Sequence, residues 1–503
     1  MYAVIGDNLS VGLADFSVTI DSTPLDSSDS TGSVGDFSLS AFAPEDPTHP
    51  IYSISLENLV DKEITIYDPE GWAGTPDGEL LGGIVTNVSH TDDFTLLITG
   101  RLALGALNVR NVTQGPYNGT LKGLIERYLR GRLISGTSVT VHPDIADRKI
   151  TVPGWRGELW YHLKLLCAAE SVEFHYPSTG YAELRPVRRT HGKTQTSRNI
   201  SRETNAEDLA QYVEVKEYNN VWVTNQIFYP PGGWDEGVSI ISISPGDTEE
   251  HELNLEGSVQ SIRQPVMRDF VAKDHTTSSV YTIVADDGYP IQPAQWADAG
   301  GSVKVEIGED TRTLKLTIRA PEGLHKDNGE PVSSFALALS AGESSPQYST
   351  LRIVGTGVWF SNDDPVKFPT GVSAEANSEF EVGEEVGVSI DNLFLSTRAH
   401  VATAVYRAAS KYQGYKSTIS GNVTRLSDEG TFTEDAGSRV FYDSRPYRVR
   451  SATYTPDGVQ FNAEDDLTCG DIQVEFDGMT WQDVQDLYEG LTYKEVLIKG
   501  MVR

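Results

Sequence analysis

Two neighbouring pieces of sequence decide how the chain reads: YNGTLKGLIERYLRG at Tyr117–Gly131, and GELWYHLKLLCAAESVEFHYPSTGYAELRPV at Gly157–Val187. In the first, Leu121, Leu124, Ile125, Tyr128 and Leu129 fall at i, i+3, i+4, i+7 and i+8, one face of a 3.6-residue period. The spacing predicts a helix from Thr120 to about Arg130. Thr120 is placed to cap it, because its hydroxyl can accept from a first-turn N–H. A second helix, after Pro153-Gly154, carries Leu159, Trp160, Leu163, Leu166 and Cys167 on one side. After Ala169 the pattern changes to strand at Val172-Glu173-Phe174-His175-Tyr176. Pro177-Ser178-Thr179-Gly180 turns the chain, and Tyr181-Ala182-Glu183-Leu184-Arg185 returns. Tyr117–Val187 therefore reads as a small α/β unit: helix, loop, helix, hairpin.

Outward from this unit the chain reads as β. On the N-terminal side, Phe16, Val18 and Ile20 alternate with polar residues, as do Phe37, Leu39 and Ala41. Strands follow at Ile64–Tyr67, Leu80–Val88 and Phe94–Ile98, separated by a polar loop at Asp21–Gly35 and an acidic loop at Asp68–Glu79. Many short strands between turn signals suggest a barrel or sandwich. On the C-terminal side, Thr190–Asp208 reads as a polar linker, and strands resume at Tyr212–Val215 and Val221–Thr224. Further strands are expected at Val303–Ile307, Leu314–Ile318, Phe335–Leu339 and Leu351–Val354. A third helix is expected at Ser396–Tyr412, with Val401, Val405, Ala408 and Tyr412 on its apolar face and Gly414 beyond its end. A last β block includes Ser438–Tyr442 and Tyr447–Arg450, with a turn at Pro456-Asp457-Gly458.

The fold class is thus mainly β with a small α/β domain: multi-domain, with barrel-like β domains and a β-sandwich-like insertion. The expected division is a first barrel-like domain at 1–105, the α/β domain at 106–200 and returning strands at 201–240. A β-rich insertion follows at 241–390, then a helix and second barrel-like domain at 391–475. The tail, 476–503, repeats itself: Gly478-Met479-Thr480-Trp481-Gln482-Asp483-Val484 is echoed by Gly490-Leu491-Thr492-Tyr493-Lys494-Glu495-Val496. In each copy Thr precedes an acid by three residues, a capping-box spacing. Two helices this short are unstable alone. Their aromatics Trp481, Tyr488 and Tyr493 are therefore expected to dock on the parent chain or a partner.

Composition narrows the function. The 503 residues carry 72 acidic against 40 basic side chains, a net charge of −32. Such a surface repels phosphate backbones, which argues against sequence-independent nucleic-acid binding. Two cysteines, Cys167 and Cys469, form no C-x-x-C pair, so neither a zinc knuckle nor a redox pair is expected. Met1–Asp7 lacks a basic and then apolar signal pattern, and no run of eighteen apolar residues occurs. The expectation is a protein made in a cytoplasm, with no membrane span.

A search for chemistry assigns no catalytic, cofactor-binding or metal-ligating residue. Gly387-Val388-Ser389-Ile390-Asp391 fails the nucleophile elbow at its last position. His251-Glu252 lacks the second histidine of a zincin helix. Gly355-Thr356-Gly357-Val358-Trp359-Phe360 starts like a dinucleotide loop but sits between β segments, and reads as a strand. Asp68–Glu79 is acidic but lacks calcium-loop spacing. His162 and His175 flank the second helix, where structural roles are the simpler reading.

Taken in order, three segments resemble the tail hub, or baseplate hub, proteins of long-tailed bacteriophages. They are Trp160–Glu170 with its hairpin closed by Arg185-Pro186; Glu217-Tyr218-Asn219-Asn220-Val221-Trp222-Val223; and Asp391-Asn392-Leu393 leading into the third helix. The C-terminal Gly-x-Thr-aromatic repeat is similar to tails of minor tail proteins from phages of actinobacteria. The resemblance implies a structural virion protein; such proteins often carry a lytic or cell-wall-binding extension, but this sequence shows no lytic motif, so no enzyme activity and no cofactor are expected. It implies a homotrimeric tail-tip hub with two related β-barrels per chain, six barrels around the axis. Its partners would be distal tail or tail tube rings, the tape measure protein, and tip or fibre proteins. Its role would be to line the DNA exit channel during host attachment and genome ejection. Two other classes compete: a β-rich carbohydrate- or receptor-binding protein, and a tail-associated cell-wall hydrolase with an unmotifed carboxylate pair.

Overall fold

Alternating apolar residues in the first hundred positions produce strands that bury one side each. The computed structural model describes residues 2–465, outside 7–8, 23–34, 43–47, 49, 51–53, 68–78, 91–94, 103, 105–106, 108–111, 133–138, 176–181, 188–192, 195–199, 206–209, 228–238, 256, 269–278, 286, 340–350, 352, 360–364, 371–385, 413–415, 425–435 and 444. The first strands are β1 (Tyr2–Ile5), β2 (Leu9–Asp21), β3 (Asp36–Ala41), β4 (Glu63–Tyr67), β5 (Glu79–His90) and β6 (Leu96–Leu102). They pair in the order β1-β4-β5-β6-β3-β2, all antiparallel, and β1 also pairs β2, so six strands close a barrel. Ala3, Phe16, Val18, Leu39, Ile64, Ile66 and Ile98 face one core inside it. Glycine is required at 100, where a Cβ would lie 2.2 Å from the Phe37 ring and 2.1 Å from the Ile84 carbonyl oxygen.

The α/β unit follows as β7 (Val112–Gln114), β8 (Tyr117–Thr120), α1 (Leu121–Leu129), β9 (Val139–Val141), α2 (Pro143–Ala146), β10 (Lys149–Val152), β11 (Trp155–Gly157), α3 (Leu159–Glu170), β12 (Val172–His175) and β13 (Ala182–Pro186). All five expected apolar residues of α1 are buried, and the Thr120 hydroxyl accepts from Gly123 N–H at 3.2 Å. The β12–β13 hairpin forms in the register Phe174↔Leu184, and β9 adds to β13 in parallel. The expected loop between the helices also holds strands: β8 pairs β10, and β7 pairs β11. They are three or four residues long, too short for a period to register in sequence.

Next come β14 (Lys193–Thr194), β15 (Ser201–Asn205), β16 (Tyr212–Val215) and β17 (Val221–Ile227). The linker expectation for 190–208 is corrected here: β14 pairs Val440–Phe441 and β15 pairs Lys416–Ser420. The insertion comprises β18 (Ser239–Ile243), β19 (Thr248–Asn254), β20 (Gly257–Ile262), β21 (Val266–Met267), β22 (Val280–Tyr281), β23 (Val284–Ala285), α4 (Pro293–Asp298), β24 (Ser302–Ile307), β25 (Thr313–Arg319), β26 (Phe335–Leu339) and β27 (Val354–Trp359). Small sheets β18-β26-β23, β19-β25-β24, β17-β27-β20 and β21-β22 surround a separate core. At its centre Trp296 meets Phe335 edge to face, with ring centroids 5.1 Å apart.

The chain continues as β28 (Val366–Pro369), β29 (Gly387–Ile390) and α5 (Arg398–Tyr412). Of the strands expected to return to the barrels over 201–240, β15 does so, whereas among the described residues β16 pairs β28 and β29, and β17 pairs β27 and no barrel strand. Val213, Val215, Phe394 and Leu395, with Val401, Val405 and Ala408 of α5, complete the core of the α/β unit. The last strands are β30 (Lys416–Thr424), β31 (Arg439–Tyr442), β32 (Arg445–Thr455) and β33 (Gly458–Asp465).

The second barrel-like sheet runs β14-β31-β32-β33-β30-β15. Counting strands within each barrel in chain order, both sheets read 1-4-5-6-3-2. Two differences lie at the first strand: β14–β31 is a parallel contact of two residues whereas β1–β4 is antiparallel, and β1 pairs β2 to close its barrel whereas β14 does not pair β15 among the described residues. Strand β2 belongs to both sheets. Its Leu9–Gly12 pair β1, while its Val18–Asp21 pair β32. The fold is mainly β and multi-domain, with one α/β unit.

Candidate functional site

Among the described residues the polar groups with the most demanding surroundings lie where the units join. At the barrel–barrel joint, Val18, Ile20, Ala452 and Tyr454 are buried. Thr19 Oγ1 and Thr453 Oγ1 meet at 3.0 Å, and Ser22 N–H donates to the Arg450 carbonyl at 2.7 Å. Long strands create this joint. With 13 residues, β2 reaches past its own barrel.

The α/β unit is fixed to the second barrel by a buried charge trio. Glu173 on β12 is 1% exposed. It accepts from Arg185 Nε at 2.8 Å across the hairpin, and from Arg448 Nη2 of β32. Arg448 Nε has no partner among the described residues. A carboxylate between two guanidiniums offsets part of the cost of burying them, and one positive charge stays uncompensated within the trio. Gly437 closes over the trio at φ +84°, where a Cβ would stand 3.1 Å from Glu173 Oε2.

Helix α3 is enclosed on both sides, not on one. Every residue from Leu159 to Glu170 is buried except Tyr161. Packing against α5 explains this. Arg407 of α5 donates to the Ala168 carbonyl and to Ser171 Oγ, each at 3.0 Å, satisfying a terminal carbonyl and placing positive charge at the C-terminal end of α3. Asn392 Nδ2 donates to the Leu165 carbonyl at 2.9 Å. Arg148 donates to Glu170 Oε2 at 3.1 Å, and His400 stands 3.6 Å from Glu170 Oε1. The insertion is tied to the unit through Gly154, whose N–H donates to Ser258 Oγ at 2.7 Å and whose carbonyl accepts from Arg312 Nε at 3.2 Å.

The residues that sequence raised as chemical candidates have structural surroundings. The His162 ring stacks on Trp155 at 3.8 Å, and its Nδ1 bonds the Glu158 carbonyl at 2.9 Å. Burial holds its pKa below the ordinary value. The Cys167 thiol is pushed far up by burial and by the neighbouring Glu173 and Glu170, so it is no thiolate at neutral pH. Gly355–Trp359 lie in β27, the centre of a three-stranded sheet. Trp481, Tyr488, Tyr493, Cys469 and residues 68–78 lie outside the described residues. Among those described, no group of three His, Cys, Asp or Glu is arranged to hold a metal, and no helix is long and apolar enough to cross a membrane. Sequence reading missed Glu173, Arg185 and Arg448. The available signal was Glu173 facing Arg185 in the hairpin register, between the apolar pairs Val172↔Pro186 and Phe174↔Leu184.

No family model and no curated protein sequence matches this chain. Its structure is similar to the prophage tail protein gp18 from Listeria monocytogenes EGD-e, at 8% identity and TM-score 0.39, covering 93% of this chain and 96% of that one. It is similar to the prophage MuSo2 43 kDa tail protein from Shewanella oneidensis, at 10% identity and TM-score 0.42, covering 92% and 97%. It is also similar to a tail protein from Neisseria meningitidis MC58, at 10% identity and TM-score 0.39, covering 92% and 96%. These likenesses are loose and span almost the whole of each chain.

Proposed function

We propose that this chain is a structural protein of a bacteriophage tail tip: a hub that closes as a ring of three copies and connects the tail tube to tip or fibre proteins. The observation that carries this reading is the duplicated six-strand order. Both sheets share the strand order 1-4-5-6-3-2 and are fused through β2. A chain that holds one unit twice, side by side, offers a ring two similar subunits. Three copies supply six, the number needed to match a sixfold tube with a threefold tip. The hub resemblance of the sequence points the same way.

On this reading the α/β unit and α5 brace the second barrel through Glu173 and Arg448. The insertion separates or extends the ring, and the tail bearing Trp481, Tyr488 and Tyr493 docks on a neighbouring tail protein. The net charge of −32 keeps DNA from adhering where it lines the exit channel. Native mass measurement of the full chain tests the proposal. A species of three chains is expected. A chain that stays monomeric up to its solubility limit, or stops at a twofold dimer, contradicts it.

A further inference from the structure

The two barrels can be aligned residue by residue from their pairings alone. The fifth strand of each, β5 and β32, breaks register against its sixth at one equivalent place: between Val85 and Asn87, and between Val449 and Ser451. Asn87–His90 therefore occupy the positions of Ser451–Tyr454. Following the pairs onward, Gly100 corresponds to Ala463, Phe37 to Ile419, and Val18 to Arg202. Val18–Asp21 thus correspond to Arg202–Asn205.

Val18–Asp21 and Ser451–Tyr454 are the segments that join the barrels within one chain. Their counterparts, Arg202–Asn205 and Asn87–His90, pair with no strand on the equivalent edge among the described residues, although the 3-10 turn Leu56–Leu59 lies against β5. Ser201–Thr204 of β15 are exposed. Open strand edges are templates for pairing with another chain. The intrachain joint uses the β2 side of the first barrel and the β32 side of the second. The two open edges therefore lie at opposite ends of the barrel pair, a head-to-tail arrangement.

We infer that the joint is used a second time, between copies: Arg202–Asn205 of β15 pair antiparallel with Asn87–His90 of β5 in a second copy of this chain. The inference rests on the ring reading and names its contact. The register copied from the first joint sets Arg202 opposite His90, Glu203 opposite Ser89, Thr204 opposite Val88 and Asn205 opposite Asn87. Across the first joint Ser22 N–H donates to Arg450 O, so the two-residue period also aims the N–H groups of Val18 and Ile20 across it. The same rule aims those of Arg202 and Thr204 outward. Glu203 and Ser89 take the places of Thr19 and Thr453, and the Ser89 hydroxyl can donate to the carboxylate. The second joint is more polar than the first, which suits a contact made on assembly, not during folding.

Glu203→Cys combined with Ser89→Cys tests this in the full chain. The two positions form a pair without mutual hydrogen bonds, where Cα atoms approach to about 4.5 Å, within disulfide range. Mild oxidation should give covalent species of two and then three chains, with the ladder ending at three, and neither single variant should give either. Cys167 is buried, and Cys469 is present in every variant, so the singles control for both. Trimers by native mass with no cross-link overturn the strand joint and leave the ring standing. A ladder that continues beyond three supports the joint and overturns the three-copy ring. Monomers without cross-links overturn both.

Discussion

Removing the Glu173 carboxylate should loosen the α/β unit from the second barrel. The side chain is 1% exposed, and Arg185 and Arg448 beside it are 7% and 4% exposed. Glu173→Ala strands two guanidiniums in a site that water scarcely reaches. Breaking a buried ion pair by removing one partner costs about 3–5 kcal/mol. Typical domain stability is about 5–15 kcal/mol, so the loss is a large fraction of the total. Several units are present, and one two-state transition is not expected. The readout is therefore the urea midpoint of the earliest transition, followed by tryptophan fluorescence, since Trp155 and Trp160 lie in the affected core. Glu173→Gln with Arg448→Met should recover part of the loss, because it removes the second barrel's charge together with its counter-charge, and a double-mutant cycle measures the coupling. A loss below about 1 kcal/mol, the range of exposed pairs, would mean that water screens the trio and that the joint is held by other contacts.

Three further outcomes follow from the same cores. Leu163→Ala, at a residue 0% exposed, should cost about 2–5 kcal/mol. Tyr161→Ala on the one exposed position of α3 should cost far less, and equal costs in denaturant melts would show a different helix face inside. Thr120→Ala removes the cap that accepts from Gly123 and should cost about 0.5–2 kcal/mol, read from the same melts. Burial holds the His162 pKa below its ordinary 6.5, so the folded chain favours the neutral ring. That stabilisation is complete above pH 6.5 and is lost as pH falls from there toward the depressed folded value. His162→Phe should therefore lessen the fall in melting temperature over that interval, and an unchanged pH profile would show that His162 titrates freely.

Local pattern was legible where it was strong. The α1 face, the α3 side bearing Leu159, Trp160 and Leu163, and the Val172–Arg185 hairpin could be read because their periods run over several turns or a complete alternation. The α5 residues Val401, Val405 and Ala408 were read for the same reason, although the core they enter belongs to the α/β unit. The second barrel was harder. Its first two strands, Lys193–Thr194 and Ser201–Asn205, have no apolar alternation, and their partners lie beyond the whole insertion. Pairing at that distance leaves no local trace, so a polar strand reads as a linker. The Glu173 trio was hidden for a related reason. Its charges come from three strands, and nothing in sequence marks Arg448 as closer to Glu173 than any other arginine.

On the proposed reading, one barrel-like unit repeats six times around an axis, twice per chain. Single-particle imaging of the assembled full-length protein tests it most directly. The expected result is a ring of three chains with six barrel densities, adjacent barrels joined alternately by the β2–β32 contact and by a β15–β5 contact between copies. A closed particle whose barrels do not alternate around one ring, or whose copies meet through the insertion with β5 and β15 left open, would contradict it.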